Sequence, residues 1–312
     1  MIKSILRQVT WIAIIGILAV SILPNTFSNY WLIDIFSNFK LQYLFLSFLV
    51  LIAVFFLPKK KPLALILIFV SIFWNGYYIA PYYLTSNDLK PTRNGDFKIS
   101  SINLLSNNST SDLVTNYIEK ENPDILILME LTPEWKNQLS SILKNYKYKQ
   151  LVPRRDNFGI AVLSKFEMKS TIDYFDLNDK PSIVGEILIK SEKYTVLATH
   201  LVPPINQQFF EKRNKQLSNI VKSRSRFSEN LIVIGDLNTS SFSNHFDKLI
   251  QGDLKDSRMG FGLLPTWPAD FKIFQTTLDH CLVSSNLIVL ERSNGENIGS
   301  DHLPITIVIG VN

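Results

Sequence analysis

Apolar and polar positions divide the chain into two unlike parts. Residues 1–84 hold three uncharged apolar runs, Gln8–Leu23, Leu41–Leu57 and Leu63–Leu84. The last two approach or exceed the ~20 residues with which a helix crosses ~30 Å of hydrocarbon, so they predict membrane spans. The first is shorter and ends at Pro24, as a secretory leader would, but two more spans follow and no small-residue cleavage site stands out. It is read as a further span, giving a membrane anchor of about three helices over 1–84. Thr85–Asp96, polar and broken by Pro91 and Gly95, reads as a linker. From Phe97 to Asn312 the period changes, and short β-branched runs alternate with helical stretches. Strands are predicted at Phe97–Leu105, breaking at Asn103, and at Ile125–Met129, Gly159–Leu163, Leu231 onward, Leu278–Val283 and Ile305–Ile309. Ile183–Ile189 and Tyr194–Thr199 read as a hairpin across Lys190–Lys193. Helices are predicted at Ser111–Glu121, Glu134–Tyr146 and Gln207–Phe227, and Phe261–Phe274 is a long irregular loop. This is an α/β order without internal repeats.

Charge changes the picture twice. The chain has 312 residues, a net charge of +5 and a pI near 9.1, which would suggest a nucleic-acid partner. Residues 1–84 hold six of the 32 basic residues (Lys3, Arg7, Lys40, Lys59, Lys60, Lys61) and one of the 27 acidic ones, Asp34. That leaves 26 of each sign beyond them, so the α/β domain is neutral. The basic excess instead sets topology: Pro58-Lys59-Lys60-Lys61-Pro62 joins two spans and belongs in the cytoplasm with Lys3 and Arg7, which puts the large domain outside. Trp31, Trp74, Tyr77, Tyr78, Tyr82 and Tyr83 then become aromatics of the outer interface. Cys281 is the only cysteine, so there is no internal disulfide and no cysteine-based zinc site.

The candidate chemistry sits at strand ends. Leu231–Asn238 is a β-branched run ending in Gly235-Asp236-Leu237-Asn238, whose Asp and Asn point the same way. A carboxylate and an amide so placed suit a hard cation or a polarised phosphoryl oxygen, although Gly, Asp and Asn are also ordinary turn residues. Glu130 follows Ile125–Met129 and precedes the helix start at Thr132-Pro133-Glu134, which favours a ligand. Asn103, His200, Asp279, Asp301 and His302 complete the set, and three of the four histidines fall in or beside these motifs, His245 being the exception. His280 faces away from Asp279 by strand alternation and is expected to be structural. Arg154 and Arg155 in a polar loop suit a phosphate clamp, or simply a solvated turn.

The ordered motifs Ile102-Asn103-Leu104, Glu130, Gly159–Ser164, Thr199-His200, Gly235–Asn238, Leu278–His280 and Ser300–His302 resemble those of the endonuclease/exonuclease/phosphatase (DNase I-like) superfamily over about residues 97–309. The resemblance implies a four-layer α/β/β/α sandwich that catalyses in-line hydrolysis of a phosphoester. It implies that Glu130 with Asn103, joined by Asp301, binds Mg²⁺ or Mn²⁺. His302 would be the general base, oriented by Asp279, and Asp236 would position the nucleophile. Asn238 would donate to the phosphoryl oxygen, and His200 would stabilise the phosphate or protonate the leaving oxygen.

For the substrate, neutrality of the domain lowers the expectation of a nuclease, because phosphate contacts dominate nucleic-acid affinity. A membrane-tethered phosphodiesterase acting on a lipid headgroup or small phosphoester needs no such field, and the loop around Trp267 could reach an interface. A catalytically dead scaffold is disfavoured, since every expected position is filled.

Overall fold

The computed structural model describes residues 2–56, 61–84, 97–177 and 179–311. The predicted linker at 85–96 and the lysines at 59 and 60 lie outside the described residues. Helix α1 (Ile2–Thr26) is longer than the apolar run within it and carries Pro24 inside. Proline removes one amide donor from the ladder but leaves the other turns intact, so the helix passes through it. A one-turn helix α2 (Trp31–Asp34) and a 3₁₀ turn (Ile35–Phe39) lead into α3 (Lys40–Val54). The third run ends earlier than its hydropathy suggests: α4 covers Lys61–Ile79, and Pro81 opens a separate turn α5 (Pro81–Leu84). Three stretches, Ser4–Thr26, Trp31–Val54 and Lys61–Ile79, are long and apolar enough to cross a membrane. They pack through polar as well as apolar contacts. Ser21 bonds Ser71 at 2.8 Å, Ser47 bonds Ser71 at 3.1 Å, and the Asn75 amide donates to Ser21 at 2.8 Å.

Two six-stranded sheets form the rest. One has the order β11-β12-β1-β2-β4-β3, from β1 (Phe97–Asn103), β2 (Ile125–Met129), β3 (Tyr148–Val152), β4 (Ile160–Ser164), β11 (Leu287–Asn294) and β12 (Ile305–Val311). The other has the order β5-β6-β7-β8-β10-β9, from β5 (Glu167–Asp173), β6 (Ser182–Ile189), β7 (Glu192–Thr199), β8 (Asn230–Asp236), β9 (Leu254–Asp256) and β10 (Asp279–Ser284). β1 and β2 are parallel, as are β7 and β8, while β12 and β10 run antiparallel to β1 and β8.

Strand alternation explains the layers. In β2, Ile125, Ile127 and Met129 face the other sheet, where they meet Val196, Ile232, Ile234 and Cys281. Leu126 and Leu128 face outward onto α6 (Ser111–Glu121), α7 (Pro133–Gln138) and α8 (Ser140–Lys144), through Val114, Ile118, Trp135 and Ile142. Likewise Leu231 and Val233 of β8 face α9 (Gln207–Lys222) and α10 (Asn244–Ile250), through Leu217, Ile220, Phe246 and Leu249. Both faces of each central strand are therefore buried, giving the α/β/β/α sandwich. The single helix expected over 134–146 is two helices broken at Leu139.

The N-terminal segment is bonded to the sandwich along one end. Asn25 donates to Phe242 O at 2.9 Å, Asn244 donates to Asn25 O at 2.7 Å, and His245 Nε2 meets Ser28 O at 2.9 Å. Gln42 donates to the carbonyls of Ile273 and Gln275, and Thr276 donates to Asn38 O. The amide of Gly262 donates to Tyr82 O, and Ile79, Tyr82, Phe242 and Leu263 close a small apolar core across the junction. Asp34 is buried there, accepting from Ser243 Oγ at 2.7 Å and lying 3.3 Å from Arg213 Nη2.

Candidate active site

The register brings distant residues to one edge of the sandwich. Asn103 ends β1 and pairs with Met129, so Glu130 emerges beside it from the parallel strand β2. Asp236 at the end of β8 pairs with Asp279 at the start of the antiparallel β10. Asp301 and His302 precede β12, whose first residue Ile305 pairs with Ser101 near the end of β1. Two glycines permit the close approaches this edge needs. Gly235 has φ +141°, and a Cβ there would lie 2.1 Å from Thr199 O, so only glycine lets the end of β7 come this near β8. A Cβ at Gly159 would lie 1.9 Å from Leu131 O, and the Leu131 amide donates to Gly159 O at 3.0 Å. This pins the chain just after Glu130, whose own φ is +57°.

At this edge His302 Nδ1 is 2.7 Å from Asp279 Oδ2, and His302 Nε2 is 3.6 Å from Asp236 Oδ2. His200 Nε2 approaches the same Asp236 oxygen at 3.5 Å. The Asn103 amide nitrogen stands 3.4 Å from both Glu130 Oε1 and Asp236 Oδ2, while Glu130 Oε2 accepts from the Ser106 amide at 2.9 Å. Asn238 donates its backbone N–H to Asp236 Oδ1 and its side-chain amide to Leu201 O, both at 2.9 Å. Asp301 Oδ2 accepts from Trp267 Nε1 at 3.1 Å, and its Oδ1 is buried with no hydrogen-bond partner. Glu130, His200, Asp236, Asn238, Trp267, Asp301 and His302 line a cleft of about 760 Å³.

Burial dominates the electrostatics. It raises the pKa of Glu130 and of Asp236, since removing water disfavours the charged carboxylate. Burial would also raise Asp279, but the charge and hydrogen bond of His302 outweigh it and hold Asp279 below the usual carboxylate range. For His302 burial acts downward, and the carboxylates of Asp279 and Asp236 overcome it, raising the imidazole to about 10. His200 is pushed down to about 4 by burial and then by the charge of His302, so it stays neutral near pH 7.

Most of the residues expected from sequence meet here, with two differences. Arg154 is tied to Asp156 at 2.6 Å and Arg155, mostly exposed, pairs with Glu134 at 3.2 Å; neither lines the cleft. A guanidinium already paired with a neighbouring carboxylate has fewer donors left for a phosphate, so the placement of both fits the solvated turn rather than the clamp. Asn103 also differs from the oxygen ligand expected: its Oδ1 accepts from the Leu105 amide at 3.0 Å, so its NH₂ faces the carboxylates. His280 is buried as expected, with Nδ1 2.9 Å from Arg258 Nη2 and Nε2 2.8 Å from Thr239 O.

Asp236, Asp279 and His302 form the one grouping among the described residues with the spacing of metal ligands. Within it Nδ1 of His302 and Oδ2 of Asp279 already satisfy one another. Three buried carboxylates, Glu130, Asp236 and Asp279, share one cationic imidazole, and Asp301 adds an unpartnered oxygen. Such a set of hard oxygen donors with excess negative charge fits a divalent cation.

Sequence reasoning missed the far wall of the cleft, made by Trp31, Asp34, Ile35 and Asn38 of the N-terminal segment together with Pro204, Ile205 and Arg213. One signal was available, because Asp34 is the lone acid in an otherwise apolar quarter of the chain.

A search among curated proteins finds no match to this sequence. Among solved structures, zebrafish (D. rerio) TDP2 complexed with single strand DNA product superposes with a TM-score of 0.60 and 17% identity, covering 69% of this chain and 99% of its own. The human Nocturnin catalytic domain with bound sulfate anion gives 0.58 and 18%, covering 71% and 95%. An endonuclease/exonuclease/phosphatase family protein from Bacteroides thetaiotaomicron gives 0.56 and 15%, covering 69% and 98%. At these identities the structures show a shared fold. The family model described as Endonuclease/Exonuclease/phosphatase family matches residues 100–302, which run from within β1 to His302 and so take in every strand but β12 and every strand-end residue of the cleft. The chain belongs to the endonuclease/exonuclease/phosphatase family, a family of phosphoester hydrolases whose members generally use divalent metals.

Proposed function

We propose that this protein is a membrane-anchored, divalent-metal-dependent phosphoesterase that hydrolyses a phosphodiester or phosphomonoester by in-line attack of water. The observation that supports it most is the meeting of Glu130, His200, Asp236, Asn238, Asp301 and His302 around one cleft, from four separate segments of the chain. In this reading His302 is the general base. Its Nδ1–H is given to Asp279, which fixes the tautomer and leaves Nε2 to take the proton of water. Asp236, 3.6 Å from that Nε2, orients the water. Asn238 spends one amide hydrogen on Leu201 O and keeps the second for the phosphoryl oxygen as charge builds there. His200, neutral near pH 7, serves better as a hydrogen-bond donor to phosphate than as the acid for the leaving oxygen. Glu130 and Asp301 would hold Mg²⁺ or Mn²⁺, with Asn103 steering Glu130 through its NH₂. When bound, such a cation supplies Lewis-acid polarisation of the phosphoryl oxygen and offsets the carboxylates that keep His302 charged.

The division into an anchor at 1–84, a linker at 85–96 and a catalytic domain at 97–312 belongs to the same reading. The helices cross the bilayer with the turn at Lys59–Lys61 in the cytoplasm, and the sandwich stands at the opposite end, beside residues 25–42 and 79–84. A reporter fused after Asn312 should be active only outside the cytoplasm; cytoplasmic activity alone would overturn the topology. For the chemistry, the full chain in detergent should hydrolyse bis-p-nitrophenyl phosphate with Mg²⁺ or Mn²⁺ and lose that activity in chelator. Metal-independent turnover would refute it. A membrane-anchored nuclease is the second reading, favoured by the single strand DNA product bound to zebrafish TDP2 and opposed by the neutral charge of residues 85–312.

A further inference from the structure

The wall of the cleft that the N-terminal segment supplies decides what kind of phosphoester can reach the site. Trp31, Asp34, Ile35 and Asn38 line the cleft, and they are also the first two turns of the second stretch able to cross a membrane, Trp31–Val54. The basic turn that the proposed topology places in the cytoplasm follows the far end of α3, so Trp31–Asn38, at the other end of this stretch, stands toward the outer face of the membrane. The cleft floor carries the carboxylates and histidines, and Ile35 and Ile205 stand at its mouth, 37% and 65% exposed. Beside them, Leu32 and Phe36 of the same segment and Phe271 and Ile273 of the Trp267 loop expose apolar side chains. That loop is held at the same level by Gln42, whose amide donates to the carbonyls of Ile273 and Gln275. A polar floor under an apolar mouth, continuous with a membrane span, matches a molecule with a phosphate at one end and a hydrocarbon chain at the other.

We propose that the substrate is an amphiphilic phosphoester drawn sideways from the outer-leaflet lipid layer, its chain lying along Ile35 and Ile205 while its phosphorus meets Asp236 and His302. This names the substrate of the phosphoesterase described above and rests on that reading. Water oxygen bonds to phosphorus as one ester P–O bond breaks; the proton of water passes to His302 and ends on the departing alcohol oxygen. Products are one alcohol and one phosphate monoester, or inorganic phosphate from a monoester.

The test uses the full chain in detergent micelles with Mn²⁺ and a series of alkyl p-nitrophenyl phosphates from methyl to dodecyl. Wild-type kcat/KM should climb with alkyl length, by up to about fourfold for each methylene the wall accepts, the ceiling set by removing a CH₂ from water. Because long substrates also partition into micelles, the deciding quantity is the slope in Ile35→Ser and Ile205→Ser. Both residues are exposed, and the variants should elute and melt as the parent does. The slope should flatten in each. A flat slope in the parent, an unchanged slope in both variants, or faster cleavage of a single-stranded oligonucleotide than of the dodecyl ester would overturn the proposal. Absence of turnover even for the methyl ester, with any divalent metal, would remove the phosphoesterase reading itself, a result distinct from hydrolysis without chain-length preference.

Discussion

The two walls of the cleft are held by different physics. The wall bearing Asn103, Glu130, Asp236, Asp279 and His302 is fixed by sheet register: neighbouring strands place their ends side by side, and each side chain follows from its backbone. The opposite wall, from Trp31 to Asn38, is held by side chains reaching across more than 170 residues of sequence, Asp34 to Arg213 and Ser243 above all. Register is cooperative and tolerates single changes; docking through separate side-chain contacts, with a buried ion pair among them, puts more weight on each contact. In the proposed reaction the first wall carries reactivity, and the second carries access and position.

Substitutions in the register wall should have the largest effect on turnover and little on folding. His302→Ala or Asp236→Ala is expected to lower kcat for bis-p-nitrophenyl phosphate by about 10²–10⁴-fold, the usual contribution of a positioned acid–base group. Circular dichroism and melting should stay close to the parent. Turnover within a few-fold of the parent in either variant would break the assignment.

The docking wall should show the reverse. Asp34→Ala leaves the buried Arg213 guanidinium without its counter-ion, a loss of about 3–5 kcal/mol, read as a lower denaturation midpoint. Arg213 Nη1 also donates to Asn238 O at 2.8 Å, so Arg213→Met should loosen a residue of the reacting edge from outside it. It would raise KM more than it lowers kcat, with Asn238 and Asp236 unaltered in sequence. The double variant Asp34→Asn/Arg213→Met, which strands no charge, should recover part of the stability; strictly additive losses would show the two residues to be uncoupled.

The smallest effect concerns pH at the junction. Burial lowers the pKa of His245, which contacts Ser28 O through Nε2, with Asp34, Arg213 and Lys248 as the nearby charges. A group depressed in the fold contributes stability that is full above its unfolded value of ~6.5 and is lost as pH falls below it, by at most about 1.4 kcal/mol per pH unit. Melting between pH 7.5 and 5.5 should show this slope, and His245→Gln should lessen it, the likewise depressed His200 and His280 keeping the rest.

The register wall was legible in the sequence because its polar residues stand at or just beyond the ends of apolar strand runs, the pattern that also betrays the strand. His280 was legible by the same alternation. Edge strands were not: β5, Glu167–Asp173, mixes exposed and buried positions, and β3, Tyr148–Val152, is half-buried apart from the exposed Lys149, so neither shows a clean period. The break at Leu139 was hidden because hydrophobic spacing continues through it. The docking wall was illegible for a different reason. Nothing local in Trp31–Asn38 says what it touches; only the folded neighbourhood of α9 and α10 gives Asp34 its partners.

The bond between Asp34 and Arg213 bears on how the enzyme is to be handled. Cutting the chain at Phe97 to obtain a soluble fragment would strip away nearly a third of the molecule, leave a guanidinium stranded in an apolar recess, and lay the reaction chamber open on one side. Assays on such a fragment would measure a different vessel, so solubility is better sought with detergent or lipid nanodiscs than with truncation.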